Sequence, residues 1–230
     1  ICTEQRKEQI KKANPNNLLV IHNSPEISKE MLEGESIIQS NSDKIKIVYV
    51  GILQDDRLLI EIGEKIKTMP QYELHIGGFG KYGNYFKNLS QQYENVFFYG
   101  MLEYEKVLKL ESECDILFAT YNPKVANHRY SAPNKLYEAM ALGKPIIVCK
   151  NTGVDEIVNK EEMGKTIEYN LLDFFKAWIV VEHRNYVKRA IMSFLSIIAL
   201  AMTILLSLSF LVFGDVISKH LIANLPFSEV

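Results

Sequence analysis

Between Lys44 and Ile167, short β-branched runs alternate with amphipathic stretches, the pattern of βα units wound into a parallel sheet. It predicts strands near residues 45–50, 73–76, 95–99, 115–119, 145–149 and 165–167, with helices filling the gaps. Over residues 57–68, Leu58, Leu59, Ile62 and Ile66 share one helical face. Over residues 104–113, Val107, Leu108 and Leu110 turn toward the sheet. An earlier apolar run, 17–23, reads as a first strand, and the polar, Ser- and Asn-rich stretch 26–42 reads as a linker. Ligands of such sheets bind outside the carboxyl ends of the strands, so the loops after Gly51, Gly77, Gly100 and Ala119 should line a site.

The pattern changes near the carboxyl end. From Ala190 to Phe213 no charged residue occurs, a run longer than the ~20 residues that span a bilayer as helix. This is a transmembrane candidate. His183, Arg184, Lys188 and Arg189 precede it, whereas Asp215 and Lys219 follow, which by the positive-inside rule puts the preceding domain in the cytoplasm. A buried helix, carrying Ser193, Ser196, Ser207 and Ser209, is the alternative.

The segment from Ser131 to Val148 packs a helix start, a carboxylate one turn in, a glycine stop and a buried strand together, and is built like a nucleotide-binding corner. Pro133 suits the first turn of a helix, where its missing N–H would have been unpaired, and the N–H groups just after it favour phosphate oxygens. Glu138 stands four residues after Asn134 on the same face, where a carboxylate can accept two ribose hydroxyls. Gly143 then ends the helix and Lys144-Pro145 leads into a strand.

These residues resemble the donor-nucleotide corner of retaining glycosyltransferases with the two-domain GT-B architecture, in the large group-one (family four) set. Further motifs follow in the family's order and spacing: Ile47 to Gly51 with Arg57 behind it, Leu74 to Gly80, Asn95 to Gly100, Asp115 to Phe118, and Gly153 to Val158. The resemblance covers roughly residues 17–170. It implies that Glu138 binds the ribose and that Asn134 and Lys135 lie against the diphosphate with the N–H groups of the helix start, Pro133 and Leu136 being counted with them among the donor-binding residues. Gly77, Gly78 and Gly80 form a turn after a strand that lets backbone approach a ligand or simply makes a tight strand-to-helix connection, and Gly51 is counted with Gly78 among the donor contacts; Gly100, Met101 and Leu102 would border the base or form a strand end before a helix cap. Arg57 would suit a diphosphate clamp; read by itself it is equally a surface arginine at a helix start.

The loop 120–132 carries Tyr121, Asn122, Lys124, Asn127, His128, Arg129 and Tyr130, too polar for core and dense in donors. Many relatives carry two glutamates eight positions apart. Counting back from Glu138 gives Tyr130, so the glutamate expected on the donor sugar is absent, and Asn127, His128 and Arg129 are the candidate substitutes. His75 reads as a strand residue near the site rather than a base. No Ser/His/Asp set or metal-spaced cluster occurs, and the Asp55-Asp56 pair precedes a helix, where acidic residues favour the dipole. The resemblance implies no bound metal or other cofactor.

Length and charge narrow the reading. With 230 residues, 47% of them hydrophobic, the chain can bury one good core, whereas two Rossmann-like domains need considerably more. The chain begins at Ile1, and its first apolar run resembles the stretch that closes the family's first domain. A fragment lacking most of the acceptor-binding domain is therefore expected. A formal charge of −2 gives no electrostatic case for nucleic acid. Cys2, Cys114 and Cys149 lack metal spacing, and the latter two, in or beside apolar strands, read as reduced core residues.

The expected division is residues 1–42 as the end of a first domain and linker, 43–180 as a nucleotide-sugar-binding domain, and 181–230 as a membrane-associated tail with a span at about 190–213. The expected fold is a Rossmann-like parallel sheet with helices on both faces. The expected function is transfer of a sugar from a nucleoside diphosphate to a lipid-linked or polysaccharide acceptor in surface-glycan biosynthesis, at the cytoplasmic face of the inner membrane. The first alternative is a non-catalytic sugar-nucleotide-binding module. The second is a fusion with the start of a polysaccharide transporter.

Overall fold

In β1 (Ile45–Ile52) successive side chains are buried on opposite faces, Ile47 and Tyr49 in one core and Val48 and Val50 in the other. The computed structural model describes residues 5–10, 17–38, 40 and 43–223. Cys2, and Gln39, Asn41 and Ser42 of the expected linker, lie outside the described residues. Around β1 the chain forms α1 (Lys29–Leu32), α2 (Leu59–Ile66), β2 (Tyr72–Phe79), α3 (Gly83–Gln92), β3 (Val96–Phe98) and α4 (Tyr104–Glu113). There follow β4 (Ile116–Ala119), α5 (Asn134–Leu142), β5 (Ile146–Cys149), α6 (Asp155–Lys160), β6 (Gly164–Ile167) and α7 (Leu171–Ala223).

The six strands are parallel in the order β3-β2-β1-β4-β5-β6. All six fall where the alternation predicts them. Helices cover both faces: Ile62, Phe86 and Phe174 from α2, α3 and α7 pack on one, and Leu110, Leu136 and Val158 from α4, α5 and α6 on the other. The structure is therefore a Rossmann-like parallel sheet with helices on both faces. The order of the strands reverses between β1 and β4, and a crevice opens there at their carboxyl ends.

Three expectations change. Residues 17–23 join no strand of the sheet: Leu19 and Ile21 are 70% and 66% exposed. The segment lies instead on α5, where His22 Nδ1 meets the Tyr137 hydroxyl at 2.9 Å and Asn23 donates to Asn134 Oδ1 at 2.8 Å. The helix expected over 57–68 spans Leu59–Ile66, because Asp56 (φ 62°) and Leu58 (φ 55°) take left-handed conformations that cannot continue a helix. The expected linker is partly built. Ser28 caps α1, accepting from the Met31 N–H, and the Ile37 and Ile38 N–H groups both donate to Glu113 Oε2 at 3.0 Å.

The chain divides into two units, residues 1–182 and 183–230. Within the first, Phe174, Ala177, Trp178 and Val181 of α7 follow helical spacing and are buried, with Trp178 packed on Tyr72 at 4.4 Å between ring centroids. Within the second, Ile191–Leu208 has a mean hydropathy of 2.5 and no buried residue. Three of its hydroxyls turn back onto the helix, Ser196, Thr203 and Ser207 each donating to the carbonyl four residues earlier.

Candidate functional site

Two close approaches of main chain shape the floor of the crevice. Gly51 and Gly78 are partners in the β1–β2 register, and a Cβ on Gly78 would lie 1.8 Å from the Gly51 carbonyl oxygen. Gly78 has φ +117°, outside the range of other residues, and its N–H donates to the Gly100 carbonyl at 2.6 Å. The glycines foreseen as donor contacts thus bring three strand ends together as bare backbone.

One wall is the start of α5. Pro133 (φ −67°, ψ 139°) takes the cap position, one residue before the first turn foreseen for it, and Gly143 (φ 62°) closes the other end. The cap offers no side-chain acceptor. The Leu136 N–H turns back to the Pro133 carbonyl at 3.1 Å, while the Leu136 side chain is buried in the core. The N–H groups of Asn134 and Lys135 have no acceptor within the helix and carry its positive end.

Lys135 and Glu138 emerge from this turn into the crevice, 6% and 3% exposed. The Lys135 ammonium stands 4.9 Å above the Tyr49 ring and 3.6 Å from Glu111 Oε1. Glu111 is fully buried, and neither carboxyl oxygen meets a hydrogen-bond donor among the described residues. Burial pushes its pKa up to about 8, Glu138 adding to the rise and Lys135 opposing it. Burial, then the Glu138 carboxylate, pushes the Tyr104 hydroxyl up to about 12.

The opposite wall carries Arg57, 8% exposed and outside any helix. Its surface alternative is therefore not what the structure holds. Its Nη1 lies 2.9 Å from His128 Nε2, and its Cζ stands 4.3 Å over the Tyr121 ring. The turn is stitched to the β4–α5 loop: Thr120 Oγ1 donates to the Arg57 carbonyl, and Asn122 donates from its N–H and its amide to Asp56. Arg57 Nε has no partner among the described residues. His128 Nδ1 lies 2.9 Å from the Asn122 carbonyl, which fixes the tautomer: Nδ1 carries the proton and Nε2 accepts from Arg57. Burial, with the nearby Arg57 charge assisting, lowers the His128 pKa below its ordinary value.

A cleft of about 350 Å³ brings together Gly51, Arg57, Gly78, Met101, Pro133, Asn134, Lys135 and Glu138 of the residues foreseen from sequence. Gly100 contributes its carbonyl to the floor and Leu136 its side chain to the core. Asn127 is exposed, with its Oδ1 3.3 Å from Arg6 Nη2, and does not line the cleft. His75 belongs to a separate buried cluster, its Nδ1 2.8 Å from the Tyr99 hydroxyl and its Nε2 3.2 Å from Glu73. The Asp55 carboxylate does not serve the α2 dipole but pairs with Lys81 at 2.8 Å and Tyr82. Sequence reasoning did not single out Tyr49, Tyr104 or Glu111. The last carried a signal: Glu111 is three residues after Leu108 and four after Val107, a carboxyl on the apolar stripe of α4.

The fold is a parallel α/β sheet of the kind that binds ligands at its switch point, and two buried cations and a buried carboxylate stand there. Residues 31–173 match the family described as "Glycosyl transferases group 1", and the chain belongs to that family. Solved structures of the same fold include WaaG, a glycosyltransferase involved in lipopolysaccharide biosynthesis, at 16% identity and TM-score 0.53 over 79% of this chain and 52% of that one. Sucrose-phosphate synthase from Thermosynechococcus elongatus gives 15% and 0.53 over 83% and 49%, respectively. AviGT4, a glycosyltransferase involved in avilamycin A biosynthesis, gives 15% and 0.50 over 73% and 48%. At these identities the likeness is one of fold. The chain spans about half the length of these structures. No curated protein matches it in sequence.

Proposed function

We propose that the chain is the donor-binding part of a retaining glycosyltransferase that moves a sugar from a nucleoside diphosphate to a lipid-linked or polysaccharide acceptor. The observation that carries this reading is the convergence of Arg57, Lys135 and the Glu138 carboxylate on one cleft beside the first turn of α5. The ribose hydroxyls donate to Glu138. The diphosphate lies between the free N–H groups of α5, the Lys135 ammonium and the Arg57 guanidinium. As the bond to the sugar breaks, charge grows on the leaving diphosphate, and these fixed donors stabilise it where it develops. The acceptor hydroxyl arrives on the face the diphosphate leaves.

This reading calls for no resident metal or cofactor, because side chains and helix start meet the diphosphate charge. Surface-glycan assembly at the cytoplasmic face of the inner membrane is the proposed setting. Its supports are the apolar, unburied stretch Ile191–Leu208 and the basic residues that precede it in sequence. A second reading, a sugar-nucleotide-binding module without catalysis, is favoured by Tyr130 standing where many relatives carry a glutamate.

Calorimetric titration of the chain with UDP, GDP and their sugar conjugates tests the donor site, with Glu138→Ala as control. Binding of one nucleotide, lost in the variant, is expected. A folded chain that binds none of them would overturn the reading. Sugar transfer to membrane lipid acceptors, measured with a protein that supplies an acceptor-binding domain beside this chain, separates the enzyme from the binding module.

A further inference from the structure

Beneath the cleft, α4 buries a carboxyl that the proposed donor chemistry does not use. Glu111 has no exposed surface and no hydrogen bond to either oxygen among the described residues, and its nearest cation, Lys135, stands 3.6 Å away. That cation also serves the cleft, and Glu138 adds a second carboxyl to the same buried group. Two ionised carboxylates around one ammonium would leave a net negative charge beneath a site for a diphosphate. A proton on Glu111 removes the excess and leaves the Lys135 charge to the ligand.

We propose that Glu111 is a positioning residue whose proton sets how strongly Lys135 and Glu138 hold a nucleoside diphosphate. The proposal rests on the donor-site reading above. In the protonated form Glu111 is a neutral packing partner of Lys135, and the cleft is cationic. Once ionised, it draws the ammonium toward α4 and repels phosphate oxygens and the Glu138 carboxylate. Affinity therefore falls as pH rises through the range in which Glu111 loses its proton.

The groups that face Glu111 make it the source of this dependence. Lys135 and Glu138 face it from α5, and Tyr104 and Cys114 lie at the two ends of its own helix. Burial holds Tyr104 at about 12 and the Cys114 thiol well above its ordinary value, so neither ionises between pH 7 and 9. Glu111, raised to about 8, does. By linkage the effect is reciprocal: binding a diphosphate at a pH where Glu111 is partly ionised draws a proton onto it.

The test uses the full chain, wild type and Glu111→Gln, titrated with UDP and GDP by calorimetry between pH 7 and 9 in buffers of different ionisation enthalpy. For wild type the expected result is an affinity that falls on the order of five- to tenfold over that range, bounded by tenfold per pH unit. Proton uptake near pH 8 accompanies it. Glu111→Gln, which keeps shape and a donor, should bind with a flat profile and no uptake. The same slope and uptake in both proteins would overturn the proposal.

A ligand-free measurement separates this failure from that of the donor reading. A carboxyl whose folded pKa is raised contributes stability that is complete below the ordinary glutamate range and lost as pH rises through about 8. Wild type should thus lose urea resistance between pH 6 and 9 relative to Glu111→Gln. Equal loss in the two proteins overturns the assignment of the proton to Glu111. If that loss differs as expected yet neither nucleotide binds at any pH, the donor reading falls and the proposal with it.

Discussion

Arg57 and His128 act as one unit: the guanidinium donates from Nη1 to an imidazole nitrogen 2.9 Å away that can accept only while the ring is neutral. The His128 pKa is depressed by burial, so the neutral ring persists somewhat below the ordinary histidine range and is lost on further acidification. Protonation would replace the acceptor with a donor and set two cations face to face. Nucleotide affinity should fall on acidification below the ordinary histidine range. Calorimetric titration from pH 7 to 5 checks this; an unchanged affinity at pH 5 would separate the imidazole from Arg57 function. His128→Ala should weaken binding at pH 7 by about 1 kcal/mol, the size of one lost hydrogen bond.

Glu138→Ala should weaken nucleotide binding by roughly 1.5–3 kcal/mol, the range for hydrogen bonds to a charged group. The variant should remain folded, since Leu136 and Ala139, its neighbours in α5, keep the helix on the sheet. Equal affinities of variant and wild type, measured side by side, would remove the ribose role from Glu138.

Gly78→Ala places a methyl group against the Gly51 carbonyl in a left-handed conformation. Neither β1 nor β2 can shift without losing ladder bonds, so destabilisation on the order of 3–5 kcal/mol is expected. Urea unfolding checks it. Gly83→Ala is the control, because nothing lies within 4 Å of a Cβ there.

His75 links stability to pH. Burial lowers its pKa to about 4, against about 6.5 in the unfolded chain. Between those values the unfolded state binds more protons, so stability is complete above pH 6.5 and is lost as pH falls toward 4. The loss from this residue is about 3 kcal/mol. In unfolding curves at pH 7 and 4.5, His75→Gln should show a smaller loss than wild type, whereas parallel losses would acquit the imidazole.

The full chain should partition into membranes, and a chain ending at Glu182 should not. The cut belongs there because Trp178 and Val181 are buried in the first unit and Glu182 accepts from the Tyr72 hydroxyl at 3.2 Å. Flotation of both chains on lipid vesicles decides it. Persistent binding by the shorter chain would place the anchor elsewhere.

Much of this architecture is legible in the residues because its causes are local. Short continuous apolar runs, buried on both faces, place β1, β4 and β5, and Pro133 and Gly143 mark the two ends of α5. The convergence of Arg57 with Lys135 and Glu138 is legible through family spacing. What stays hidden depends on tertiary contact. Nothing in the types Asp56 and Leu58 announces the left-handed turn that delays α2 and buries Arg57. His128 could be identified as polar loop chemistry, but not as the acceptor for Arg57. The run 17–23 has the composition of a strand, and only its contacts with Tyr137 and Asn134 show that it is not paired in the sheet.

The floor of the cleft is main chain, while its rim is side chain. Gly78 leaves no room for a side chain and Gly100 (φ 63°) holds a left-handed backbone that disfavours one, yet Ile52, Phe79 and Met101 above them are 47%, 57% and 79% exposed. Tolerance and selectivity are thereby assigned to different residues. A library randomised at those three rim positions can therefore be screened on nucleotide sugars while the glycine floor and the sheet beneath it stay intact.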